Sequence, residues 1–192
     1  VQKSKLPITE KHIINPSNPY AASKSAAEIL CKQMNSQDLQ IMCARSFNHF
    51  GPGQKENFVA AALTKRMLLA QRLDQSEITV GNLETIRDFT DVRDVVRAYR
   101  LILTKGDGGN VYNVCSGIGR KISELATTLL NKIDSELELK LDPKLHRPSD
   151  TPVLIGDYSK LHKQTGWEPH IEFDQTIEDT IESTRALMTQ ER

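Results

Sequence analysis

Apolar positions along the chain switch repeatedly between a helical period and a strand period. Residues 1–18 are polar and punctuated by Pro7 and Pro16, an extended lead-in. Asn18-Pro19 then offers a side-chain cap followed by proline at the first helical position. This predicts a helix to about Asn35, with Ala27, Leu30, Cys31 and Met34 among its apolar positions. Leu39–Ala44 is an apolar run of strand length, and Gly51-Pro52-Gly53 is a turn. Phe58–Arg72 reads as a helix, and Glu77–Val80 as a strand ending at a Gly81-Asn82 turn. Asp91 caps a helix that stops before Gly106, and Val111–Cys115 is a strand. Ser123 caps a helix from Glu124 to about Lys132, and Glu136–Leu141 alternates as a half-buried strand does. Asp157 opens a short helix closed by Gly166, and a last helix follows Asp174 toward Leu187. Helices alternating with short strands make an α/β fold with parallel pairing in part of it.

Composition narrows the function classes. The 192 residues carry 25 Lys+Arg against 25 Asp+Glu, a net charge of zero, which argues against a nucleic-acid partner held through phosphates. No apolar run reaches the roughly 18 residues of a membrane span, and the first residues hold no stretch of secretory-signal length. Cys31, Cys43 and Cys115 are odd in number and far apart, which reads as buried thiols in a reducing, cytoplasmic setting. The five histidines show no metal-ligand spacing, so no metal is expected.

Candidate chemistry begins at Tyr20-Ala21-Ala22-Ser23-Lys24. A spacing of four sets Tyr20 and Lys24 on one helical face. Tyrosine alone is a poor acid or base at neutral pH, and a neighbouring ammonium favours its phenolate. The pair by itself is weak, since four tyrosines among many lysines produce the spacing readily by chance. Two glycine-rich stretches, Gly51-Pro52-Gly53-Gln54-Lys55-Glu56 and Gly117-Ile118-Gly119-Arg120-Lys121-Ile122, begin like a dinucleotide loop but lack its third glycine.

The wider context is more specific. Pro16-Ser17-Asn18-Pro19-Tyr20-Ala21-Ala22-Ser23-Lys24, Arg45-Ser46-Phe47-Asn48-His49-Phe50-Gly51-Pro52-Gly53, Arg87-Asp88-Phe89-Thr90-Asp91-Val92, Val111-Tyr112-Asn113-Val114-Cys115 and Arg147-Pro148-Ser149-Asp150 occur in this order. Together they resemble the nucleotide-sugar branch of the extended short-chain dehydrogenase/reductases, over almost the whole chain.

The resemblance implies the C-terminal part of an NAD(P)-binding Rossmann-like fold with a small α/β substrate-binding region. It implies NADPH-dependent reduction of the C4 ketone of GDP-4-dehydro-6-deoxy-D-mannose to GDP-D-rhamnose. NADP(H) is the expected cofactor, with NAD(H) as the alternative, and a GDP-sugar is the expected substrate. Tyr20 would protonate the C4 oxygen. Lys24 would hold the nicotinamide ribose, and Phe47 would lie beside the nicotinamide. Asn48, Arg87 and Arg147 would take the diphosphate, the arginines through bidentate pairing. Asp150 would be a ribose contact, and Phe58-Val59 with Gly81-Asn82 would line the guanosine side. A homodimer through the Tyr20 helix is the oligomer the family suggests.

Plainer roles compete at each position. Asn48 also suits a turn former, and Asp150 a cap. Arg87 could pair with Asp88 or Asp91 at the surface, and Arg147 could be an idle surface arginine. His49 is expected to pack, and Trp167 to anchor the core. Arg93, Arg97 and Arg100, interleaved with Asp91 and Asp94, are expected to form a solvated helix face.

Two other functions remain open: a nucleotide-sugar 4,6-dehydratase of the GDP-mannose type, and a non-catalytic nucleotide-sugar-binding subunit. The family's glycine-rich cofactor loop and catalytic Ser/Thr precede the tyrosine, and neither is found here. The expectation is therefore that residues 1–192 are the C-terminal portion of one unit, inactive by themselves.

Overall fold

A computed structural model describes residues 6–133, 136–145 and 151–190. Helix α1 spans Pro19–Met34, and the Asn18 side chain caps it by accepting from Ala21 N at 2.8 Å. Strands β1 (Cys43–Ser46) and β2 (Asn48–Phe50) follow, separated by Phe47 alone. Helix α2 (Val59–Arg72) leads to β3 (Glu77–Val80) and β4 (Ile86–Asp91), and α3 (Val92–Lys105) to β5 (Val111–Val114). Then come β6 (Gly119–Lys121), α4 (Ile122–Ile133), β7 (Glu138–Leu141), a 3₁₀ turn at Pro143–Leu145, β8 (Val153–Leu154), α5 (Ser159–Thr165) and α6 (Phe173–Gln190).

Three small sheets organise these elements. β1 runs parallel to β5, and β3 parallel to β7. β4 is the centre of the third. Its last residues pair in parallel with β2, and its first pair with β6 antiparallel and β8 parallel. The chain therefore leaves one sheet at Ser46 and enters another at Asn48. Within the β1–β5 pair, Cys43 N and Phe47 N donate across to Asn110 O and Val114 O. The alternate residues Ala44 and Ser46 aim their backbone groups the other way. No described strand pairs with that edge.

Two apolar clusters hold the layers. The larger joins α2, α4 and α6 over β2, β3 and β4, with Met67, Leu125, Leu129 and Ile177 almost fully enclosed. Phe50, Phe89 and Phe173 meet there, Phe50 edge-on to both partners. The smaller packs α3 and α5 on β5 around Trp167, which is the core anchor expected of it. The Trp167 indole donates to Asp94 O at 3.0 Å, so its one polar group is satisfied inside the core. Gly166 ends α5 at φ 75°, a left-handed cap that side chains avoid.

Several expectations need correction. The first strand lies at Cys43–Ser46 rather than Leu39–Ala44, because register with β5 rather than hydrophobicity sets its limits. β2, β4, β6 and β8 were not anticipated as strands. Asp91 and Asp94 are buried, not solvated. Asp91 caps α3 and pairs with Arg93. Asp94 accepts from Arg97 and from the backbone of His170 and Ile171. Of the three thiols only Cys115 is buried; Cys31 and Cys43 are half-buried.

Candidate active site

The sheet switch at Phe47 is where the expected residues gather. Crevices form where strands diverge, because the loops leaving them part. A cleft of about 640 Å³ opens there. Tyr20 lines it from α1, Ser46 and Phe47 from the end of β1, and Asn48–Phe50 from β2, with the turn 51–55, Phe58, Val92 and Leu154. A second cleft of about 510 Å³ lies beyond it, lined by α2, by the β3 end through Gly81 and Asn82, and by Thr85, Arg87 and Leu145. Asn48 and Phe58 border both clefts.

Tyr20 is 72 % exposed, so its phenol is open to the cleft rather than packed. Lys24 stands one turn on, with Nζ 5.5 Å from the Tyr20 ring centroid. The helix carrying the pair is held by its half-buried stripe of Ala21, Ser25, Glu28 and Cys31. Arg45 on β1 grips Glu28 through Nε and Nη2, both at 2.7 Å, and donates to Glu10 O. These bonds hold the Glu28 carboxyl down at about 2. On the same side Cys43 meets Cys31, and burial pushes its thiol up.

Phe47 is fixed on three sides. Its N–H bonds Val114 O, its carbonyl accepts from His49 Nδ1 at 2.9 Å, and its ring abuts Gly156. A Cβ on Gly156 would come within 2.7 Å of Phe47 Cζ and 2.6 Å of Cys115 Sγ, so only glycine fits. His49, expected only to pack, is bonded in this way and also lines the cleft.

The Asn48 carboxamide makes no hydrogen bond to any described residue, unlike a side chain that forms a turn. Arg87 Nη1 donates to Ile86 O at 2.9 Å and Thr151 O at 2.7 Å while lining the second cleft. The structure thus brings Tyr20, Phe47 and Asn48 to the first cleft, and Asn48, Phe58, Val59, Gly81, Asn82 and Arg87 to the second. Arg147 and Asp150 lie outside the described residues.

Sequence reasoning missed Asp88. It is fully buried, and its carboxylate accepts from Ser116 N, Ser116 Oγ, Gly117 N and Gly156 N at 2.6–3.1 Å. Burial pushes its carboxyl above the ordinary range against the pull of these bonds. One side chain thereby ties β4 to the loops after β5 and β8, beside Phe47. The signal was strand alternation through Ile86–Asp91, which turns Arg87 and Asp88 to opposite faces. The two glycine-rich decoys have other uses. Gly51–Gln54 borders the first cleft, and Gly119–Lys121 is β6.

The comparisons with known proteins agree with this geometry. The family model for GDP-mannose 4,6 dehydratase matches residues 2–180. The chain is 39 % identical over 193 residues to GDP-6-deoxy-D-mannose reductase of Pseudomonas aeruginosa, covering 100 % of this chain and 64 % of that protein. It is 30 % identical over 173 residues to dTDP-D-glucose 4,6-dehydratase of Mus musculus, covering 87 % of this chain and 47 % of that one. Among solved structures, RMD from Pseudomonas aeruginosa complexed with NADPH superposes with a TM-score of 0.91 at 39 % identity, over 97 % of this chain and 63 % of that one. UDP-glucose 4-epimerase of Thermotoga maritima with UDP-glucose gives 0.85 at 29 %, over 95 % and 58 %. The chain spans less than two thirds of the length of these relatives. With the family model matching nearly its full length, the chain belongs to the GDP-mannose 4,6 dehydratase family.

Proposed function

We propose that the protein carrying this chain reduces the C4 ketone of GDP-4-dehydro-6-deoxy-D-mannose to GDP-D-rhamnose with NADPH. The carrying observation is the exposed phenol of Tyr20, opening on a cleft that joins a second, arginine-bearing cleft through Asn48. Reduction adds hydride to the carbonyl carbon and a proton to its oxygen. Phe47 would lie beside a reduced nicotinamide, which would supply the hydride. Tyr20 donates the proton, and Lys24 holds the ribose and stabilises the phenolate left behind. Asn48 and Arg87 orient the diphosphate, with Arg147 as a second clamp and Asp150 at the ribose. The residues fit this ligand set, since the Asn48 carboxamide and the Tyr20 hydroxyl have no described protein partner.

The 39 % identity to a GDP-6-deoxy-D-mannose reductase supports reduction over dehydration. The family model's own description supports a second reading, a 4,6-dehydratase, which returns its hydride. Stoichiometry separates them: a reductase consumes one NADPH per product formed, a dehydratase none. A non-catalytic subunit would bind GDP-sugar and consume nothing with either substrate.

We further read the chain as the C-terminal portion of a cytoplasmic unit whose cofactor loop is supplied by other residues. The edge of β1 that no described strand pairs with supports this. A homodimer through α1 is consistent with the exposed Ile29, Leu30 and Met34.

A further inference from the structure

Arg66 stands apart from Arg87, the other described cation that lines the second cleft. It is half-buried and lines the second cleft. Its neighbour Lys65 is paired with Glu56, and Arg87 is engaged with two carbonyls. The Arg66 guanidinium has no hydrogen bond or ion pair to any described residue. Five N–H donors in a rigid fork are thus partly withdrawn from water with nothing to receive them. A ligand with acceptors offsets that cost.

Its position says which part of a ligand. Phe58, Val59, Ala62 and Arg66 border the cleft along two turns of α2. Phe58 sits at the junction with the Tyr20 cleft. At 1.5 Å per residue, Arg66 lies about 12 Å further along the helix axis. A nucleotide sugar is linear: sugar, diphosphate, ribose, base. With the sugar at Tyr20 and the diphosphate at Asn48 and Arg87, the remote end falls to the base.

We infer that Arg66 is the base-selecting residue and reads the adjacent O6 and N7 acceptors of guanine. The guanidinium fork matches that pair bidentately; adenine places a donor at the 6-position, and the pyrimidines have no such pair. The inference rests on the nucleotide-sugar reading of the two clefts and adds a specificity determinant to it.

The test is calorimetric titration of the intact protein with GDP, UDP and inorganic pyrophosphate, for wild type, Arg66→Leu and Arg66→Lys, with melting curves to confirm folding. The wild type should prefer GDP to UDP. Arg66→Leu should weaken GDP at least tenfold and bring it to the UDP level, leaving UDP and pyrophosphate unchanged. Arg66→Lys keeps the charge but not the fork, and should lose the preference as well. An equal loss for all three ligands would make Arg66 a phosphate contact and overturn the inference. So would full GDP preference in either variant. A wild type that binds none of the ligands would overturn the cleft reading itself, a separate result.

Discussion

At the scale of single residues, a phenol stands uncovered at the cleft while the carboxylates of Asp88, Asp91 and Asp94 are buried. On the proposed reading, replacing Tyr20 by Phe removes the proton donor and leaves the rest of the lining of both clefts in place. In the intact protein the reduction rate should fall by 10²-fold or more, with dissociation constants for the nucleotide sugar nearly unchanged. Rapid-quench rates beside binding isotherms check this; weakened binding with an unchanged rate would refute the assignment. Asp88 works differently, through the loops it binds. Alanine there leaves three backbone N–H groups and a hydroxyl without their acceptor. Relief of the buried charge offsets part of the loss, so the net destabilisation should be about 3 kcal/mol, read from urea midpoints. Neither Asp88 nor Arg66 stood out in the sequence, because pairing and burial depend on what the fold brings alongside. The placing of Lys24 beside Tyr20, and of Tyr20 and Asn48 at one cleft, was legible because a helical spacing and a motif carry them locally.

At the scale of elements, what could be read followed from local chemistry. Asn18-Pro19 opened α1, Asp91 capped α3 and Gly166 closed α5, all as anticipated. β4 escaped notice because Ile86–Asp91 carries four polar residues among six. Asp88 among them is held inside by bonds to the distant Ser116, Gly117 and Gly156, which no local pattern displays. α1 depends most on such distant bonds, since none of its residues is fully buried. The Glu28–Arg45 pair is its main polar anchor. Because Glu28 titrates at about 2 rather than its ordinary 4.5, the pair stabilises the fold fully above pH 4.5. That contribution fades as pH falls from 4.5 toward 2. Glu28→Gln should therefore lower the melting temperature at pH 7 and flatten its decline over the acid window. Asn18→Ala should cost about 1 kcal/mol of local helix stability, seen as faster amide exchange across the first turns of α1 with little change in α2 or α4.

At the scale of the whole molecule, two regions of unequal finish meet at Phe47. The β4-centred region, wrapped by α2, α4 and α6, has its aromatic core enclosed. The β1–β5 region has one edge of β1 without a described partner, and outward-facing Ile29, Leu30, Met34, Val96 and Leu103 on α1 and α3. A bare strand edge beside apolar helix faces is unfavourable in water and recruits further strands. The Tyr20 cleft lies on the boundary, so the chemistry proposed for it draws on the less finished region. Residues 1–192 expressed alone should accordingly bind NADPH only weakly and show no turnover with GDP-4-dehydro-6-deoxy-D-mannose. The arginine-bearing cleft, built on the finished region, should still bind GDP. Equilibrium dialysis with both nucleotides, alongside a coupled reductase assay, reads the three quantities in one preparation. Micromolar NADPH binding with turnover would show that the β1 edge needs no further strand. Loss of GDP binding as well would place the dependence in the β4-centred region too.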